Sequence, residues 1–166
     1  MLALPCAGCS DRPHRQAQNL TSRNAHARST DQESVTSTAD SLRVSLLIPG
    51  EVPAGRPVPI VIRLENTGAG PRDLYLRGRT IAFDIFITRP NGQAVWQRLK
   101  DEVIPAIVQL KALSPGEVLE LEHHWDQRGN HGEPVAPGAY MVRGAILTEG
   151  SPRLETAIAS LRIQSN

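Results

Sequence analysis

Pro115 to Leu147, PGEVLELEHHWDQRGNHGEPVAPGAYMVRGAIL, decides how the rest of the chain is read. Its first half alternates: Leu119, Leu121, His123 and Trp125 share one face of an extended strand, and Glu120, Glu122 and His124 take the other. That is the pattern of a half-buried antiparallel strand. After Pro137-Gly138, Tyr140, Val142, Gly144 and Ile146 form one face of a second strand, with Met141, Arg143, Ala145 and Leu147 opposite. A Tyr placed just past a Gly-containing corner, at the start of a late strand, is where a β-sandwich sets a ring whose hydroxyl bonds back to upstream backbone. Trp125 and Tyr140 are therefore expected in the core.

Working outward, the same alternation recurs on both sides of this segment. Leu42, Val44, Leu46 and Ile48 predict a strand ending at Pro49-Gly50, and Val58, Ile60, Ile62 and Leu64 predict a second that ends at Asn66-Thr67-Gly68. Asp73–Arg77 reads as a short strand and Thr80–Thr88 as a longer one, with Ile81, Phe83, Ile85 and Ile87 on one face. Arg89-Pro90-Asn91-Gly92-Gln93 follows as a turn, expected to be of the primed type because Asn-Gly tolerates positive φ. Val95 and Trp96 lie on the returning strand. Residues 100–109 are less regular, with Ile104, Ile107 and Val108 expected to reach the core, and a last strand is expected near Thr156–Ile163. Eight or nine short strands at hairpin spacing point to an all-β fold, an immunoglobulin-like antiparallel β-sandwich.

Length and composition agree with one such domain. The chain has 166 residues, with 18 basic and 17 acidic side chains and a net charge of +1. No basic stripe offers a footprint for nucleic acid, so no nucleic-acid partner is expected. All the aromatic residues lie between Tyr75 and Tyr140, and 13 Gly and 13 Pro punctuate short apolar runs.

The first forty residues read differently. From Ser10 to about Asp40 polar residues dominate without apolar period, which predicts a flexible tether. Both cysteines, Cys6 and Cys9, stand in MLALPCAGCSD. Their spacing is that of half a zinc site or a redox pair, but no second pair follows. Ala7-Gly8 directly before Cys9, with a polar stretch after it, reads instead as a bacterial lipoprotein signal whose upstream part is missing, with Cys9 the lipidated residue. The domain boundaries expected are thus 1–9 for a truncated lipoprotein signal, 10–41 for a flexible polar linker and 42–166 for the sandwich. On this reading the protein is tethered to the cell envelope through its lipid; the alternative is a cytoplasmic protein.

The order LRGRTIAFDIFI, NGQAVWQR, LSPGEVLELEHHWD and VAPGAYMVRGAIL, spanning roughly Val58 to Leu147, resembles the intracellular proteinase inhibitor domain of the BsuPI type. Trp96, Pro115-Gly116, Trp125-Asp126 and Pro137-Gly138-Ala139-Tyr140 carry the likeness. The resemblance implies an immunoglobulin-like β-sandwich and inhibition of a cytoplasmic subtilisin-like serine protease. A family stretch Phe-x-Ser-Gly-Gln stands here as Leu76-Arg77-Gly78-Arg79-Thr80, which keeps Gly78 and changes its neighbours.

Chemistry-bearing residues do not assemble into a catalytic pattern. No Gly-x-Ser-x-Gly elbow and no phosphate-cradling glycine loop occurs, and no cysteine lies in the sandwich to pair with a histidine. His123 and His124 point to opposite faces of their strand, so a metal set of His124, Asp126 and His131 is less expected than an exposed strand edge and loop. Asp84 and Glu65 read as solvent-facing strand residues. The expectation is a non-catalytic protein-binding module without cofactor or metal. Its partner contact falls on the polar connection DQRGNHGEPV, with Arg128, His131 and Glu133 at the tip, held by a rigid scaffold. The alternative is a structural or assembly module of the cell envelope that inhibits nothing.

Overall fold

Alternation of apolar and polar residues produces strands here, and short Pro- and Gly-bearing turns fold them into two sheets. A computed structural model describes residues 32–39, 41–150 and 153–165. Its strands are β1 (Gln32–Ala39), β2 (Leu42–Pro49), β3 (Glu51–Pro53), β4 (Val58–Asn66), β5 (Arg72–Arg77), β6 (Phe83–Thr88), β7 (Ala94–Gln97), β8 (Val108–Leu113), β9 (Val118–Trp125), β10 (Gly138–Ile146), β11 (Leu154–Glu155) and β12 (Ala159–Gln164). Among the described residues there is no helix. One sheet runs β1-β2-β4-β9 and the other β3-β12-β10-β6-β7, with β11 beside β10 and a two-stranded β5-β8 ribbon. Every pairing is antiparallel except β3 with β12. The division of β2, β4 and β9 from β12, β10, β6 and β7 is that of an immunoglobulin-like sandwich.

The facing residues interlock as the alternation requires. Leu42, Val44, Leu46 and Ile48 of β2 and Val58, Ile60, Ile62 and Leu64 of β4 are buried against Ile85 and Ile87 of β6 and Tyr140, Val142 and Ile146 of β10. Burial of this much apolar surface, at about 25 cal/mol per Å², is what stabilises the two sheets. Tyr140 donates its hydroxyl proton to the Ala136 carbonyl, the upstream backbone bond that its corner position predicts.

Four expectations are corrected. The tether ends earlier than residue 41: Gln32–Ala39 pairs along the whole of β2. The strand was hidden because only Val35 packs on the core, whereas Ser34, Thr36, Ser37 and Thr38 give no apolar period. Thr36 Oγ1 lies 3.2 Å from Ser45 Oγ, and the Ser160 amide donates to Glu33 Oε1. Next, the fourth strand starts at Phe83, since the Ala82 amide closes a turn onto the Arg77 carbonyl at 2.8 Å and leaves Thr80 and Ile81 outside.

The Asn-Gly turn is not primed. Gly92 alone has positive φ, 85°, and its amide donates to the Arg89 carbonyl at 2.9 Å. Pro90 and Asn91 are then the central pair, because the fixed negative φ of Pro suits the first central position of a type I turn, and Gly92 takes the left-handed position after it. Finally, Ile107 and Val108 lie exposed. Val108 is on the outer face of the β5-β8 ribbon and Ile107 immediately precedes it; the ribbon packs on the core only through its inner face, by Leu74, Leu76 and Leu113.

Candidate functional site

The connection from β9 to β10, residues 126–137, is held by a ladder of rings beneath it. Trp96 of β7 stacks on His123 of β9 with centroids 5.3 Å apart and planes at 15°, and its other neighbour is Trp125 at 6.2 Å. Trp125 meets Tyr140 edge-on at 6.0 Å, and the Arg89 guanidinium sits 4.4 Å from the Tyr140 centroid. Such edge and offset contacts add about 0.5–1.5 kcal/mol per pair beyond area. The ladder ties the edge of one sheet to the edge of the other.

Trp125 Nε1 donates to the Arg128 carbonyl at 2.8 Å, which fixes the loop's first turn on the ladder. Gln127 is buried with φ of 60°, and its side chain bonds the Pro53 and Arg56 carbonyls at 2.9 and 2.6 Å and the Gly55 amide at 2.8 Å. The loop then folds on itself. Val135 donates to the Gln127 carbonyl at 2.9 Å and Gly129 to the Glu133 carbonyl at 2.8 Å, making a small hairpin of its own. Gly129 and Gly132, which in sequence suggest slackness, serve this tight folding. A Cβ on Gly129 would lie 2.1 Å from Glu133 Oε1.

The three residues expected at the tip are on this loop but face different ways. Arg128 turns back, donating to the Gly132 carbonyl at 2.6 Å and pairing with Asp126 at 3.6 Å. Glu133 folds over Gly129 and accepts from the His131 amide at 3.1 Å. His131 is exposed at the rim. Glu133, Pro134 and Val135 of the loop, with Arg89, Gln93 and Val95, border an open groove of about 340 Å³.

Asn130 does work that sequence reading missed. Its amide donates to the Val95 carbonyl at 3.1 Å, and its Oδ1 accepts from the Gln97 amide at 3.0 Å, so it occupies the outer edge of β7. The signal was present only as Gly-Asn-His-Gly, a turn composition that does not name its partner strand.

Asp84 is buried, against the solvent-facing expectation. Its carboxylate accepts from the Ile85 amide at 2.9 Å, the Leu99 amide at 3.0 Å and Gln97 Nε2 at 2.6 Å. It fastens β6 to the end of β7, and β7 together with the turn after it removes Asp84 from water. Glu65 stays at the surface, 3.3 Å from Arg43.

Burial beside Trp96 holds the His123 imidazole below its ordinary value, with Arg98 and His124 acting in the same direction and Asp126 and Glu102 against it. Desolvation raises the Tyr140 phenol, with Arg89 opposing. Among the described residues no group of three His, Cys, Asp or Glu side chains is arranged to hold a metal ion, so His124, Asp126 and His131 do not form one site. No helix among those residues is long and apolar enough to cross a membrane. Cys6 and Cys9 lie outside the described residues.

No protein-family model matches the sequence, and no curated protein matches it. Solved structures with partial likeness include an alkylpurine DNA glycosylase of Pseudomonas fluorescens bound to DNA, at 18% identity and TM-score 0.38 over 70% of this chain and 28% of that one. A β-glucosidase of Listeria innocua is similar at 12% identity and TM-score 0.41, over 82% of this chain and 16% of the enzyme. A CARDB domain of Pyrococcus furiosus, solved with di-metal ions, reaches 12% identity and TM-score 0.36 over 80% of this chain and 93% of the domain. The chain thus spans less than a third of the glycosylase and of the glucosidase. At these scores the likenesses carry no argument, and the sandwich assignment rests on the strand order itself.

Proposed function

We propose that this chain is a non-catalytic protein-binding module that presents the 126–137 loop to its partner, and that the partner is a serine protease of the subtilisin type. The construction of the loop is the observation that carries the reading. A segment that enters a protein cleft loses least entropy when it is already fixed, and this one is fixed by Trp125, Gln127 and Asn130 from three sides. His131 is exposed on the loop, and Glu133, Pro134 and Val135 of the same loop border an open groove. The protease half of the proposal is supported by the resemblance of the Val58–Leu147 segment to BsuPI-type inhibitor domains.

Titrating the full chain against a subtilisin-type and a trypsin-type protease tests it. The expected result is stoichiometric loss of subtilisin-type activity with the chain recovered uncut, weakened by His131→Ala. Unchanged protease activity at a large excess of the chain would overturn the protease half; inhibition indifferent to His131→Ala would overturn the placement on this loop. An assembly module of the envelope is the second reading, favoured by the exposed apolar face of β5 and β8.

A further inference from the structure

The exposed large apolar side chains of the described residues are concentrated in one place. Tyr75 on β5, Val108 and Leu110 on β8, and Val103 and Ile107 just before β8 are all exposed, Val103 to 94% and Leu110 to 63%; Ile158 is the one outside this region. Tyr75 is the register partner of Leu110, Arg77 of Val108 and Asp73 of Ala112, so these six share the outer face of the ribbon. An apolar cluster of this kind on a soluble surface marks a contact.

The backbone at the same place is unpaired. The Gly78 amide donates to the Ile107 carbonyl at 2.8 Å, which sets the alternation of the β5-β8 ladder. Amides and carbonyls of residues 107, 109, 111 and 113 face β5, and those of Val108, Leu110 and Ala112 face away from it. Among the described residues no strand pairs there. Other edges carry guards. Asn130 covers β7, β3 is short and ends in Pro53, β9 displays Glu120, Glu122 and His124, and β1 carries Glu33 in a largely polar strand. The one cation of β8, Lys111, lies on the opposite face and is held by Glu117 at 2.8 Å.

We infer that the β8 edge pairs with the β8 edge of a second copy of this chain, antiparallel about a twofold axis at Leu110. Val108, Leu110 and Ala112 are spaced so that Leu110 faces Leu110 of the second copy and Val108 faces its Ala112, giving about six backbone hydrogen bonds. The Tyr75-Leu110 row then runs unbroken across four strands. No charge opposes this register: the facing positions Val108, Leu110 and Ala112 are uncharged, and Arg77, one strand back on β5, is 3.6 Å from Glu149. Twofold self-complementarity of edge and apolar row favours a second copy over a foreign strand. This inference is independent of the protease reading.

Sedimentation velocity of the full chain over a wide concentration range tests it, with Leu110→Lys and Ile158→Lys compared. The expected result is a concentration-dependent dimer that Leu110→Lys weakens at least about tenfold, by setting two ammonium groups face to face, and that Ile158→Lys leaves intact. Melting curves check that both variants fold; if Leu110→Lys does not, Val108→Lys replaces it. A monomer at every concentration overturns the inference. So does a dimer indifferent to the Leu110 and Val108 variants, or one lost with Ile158→Lys.

Discussion

β7 and β8 are both short antiparallel strands at a sheet edge, yet one outer edge is closed and the other open. At β7 a neighbouring loop supplies Asn130, which takes up the Val95 carbonyl and the Gln97 amide, and Trp96 turns inward onto His123 and Trp125. At β8 no segment among the described residues pairs with the outer edge, and Leu110 is exposed. Closing an edge requires a segment from elsewhere in the chain to be held in register with it. The 126–137 loop meets that requirement because buried Gln127 and Trp125 anchor it. The apolar segment before β8 lies instead against the 78–82 turn, where the Gly78 amide donates to the Ile107 carbonyl, and does not pair with the outer edge of β8. An edge left open beside apolar side chains is a place for another chain, whereas an edge closed by a fixed loop makes the loop itself the presented surface.

The largest effect on this contrast is expected from Trp125→Ala. It removes a fully buried ring and the donor to the Arg128 carbonyl together, and should cost about 3–5 kcal/mol in chemical denaturation. A near-native unfolding midpoint would break the claim that the ring ladder carries the loop. Tyr140→Phe removes only the bond to Ala136 and should cost about 0.5–1.5 kcal/mol. Asn130→Ala leaves the Gln97 amide to water and should cost a similar amount, about 1 kcal/mol, while speeding exchange at Gln97 and not at Leu110.

Acid should act on the closed edge through His123. The folded state depresses the His123 imidazole, so below about pH 6.5 the unfolded chain takes up a proton that the folded chain resists. Stability is complete above that pH and declines as pH falls toward the depressed folded value. His123→Gln should flatten this part of the denaturant-midpoint profile; an unaltered slope would remove His123 as its source. Smallest of all, Leu110→Lys should change the stability of the single chain by no more than about 0.5 kcal/mol, since its side chain is exposed.

The core was legible because its strands follow a two-residue period: β2, β4 and β10 bury the residues that alternation assigns to the inner face, β9 half-buries Leu119, Leu121 and His123 and buries Trp125, and Tyr140 meets upstream backbone as its corner position implies. What was not legible depends on partners distant in sequence. Asp84 reads as an outward strand residue until the Leu99 amide and Gln97 are seen to close over it. Asn130 reads as a loop residue until β7 is placed beside it, and Gln127 gives no sign in sequence of its positive φ. β1 lacked an apolar period because an outermost strand needs only Val35 against the core. Ile107 and Val108 looked buried by composition alone, whereas the ribbon gives the core only its inner face, with Leu74, Leu76 and Leu113.

Amide hydrogen exchange of the full chain, at low and at high concentration, compares the two edges residue by residue. In dilute solution the Gln97 amide should exchange far more slowly than those of Leu110 and Ala112, because Asn130 Oδ1 holds it at 3.0 Å and no strand among the described residues pairs with the others. Raising the concentration should slow Leu110 and Ala112 and leave Gln97 unchanged. Equal protection of the two edges in the dilute monomer would contradict the account, since it would mean that the β8 edge is already closed within the single chain.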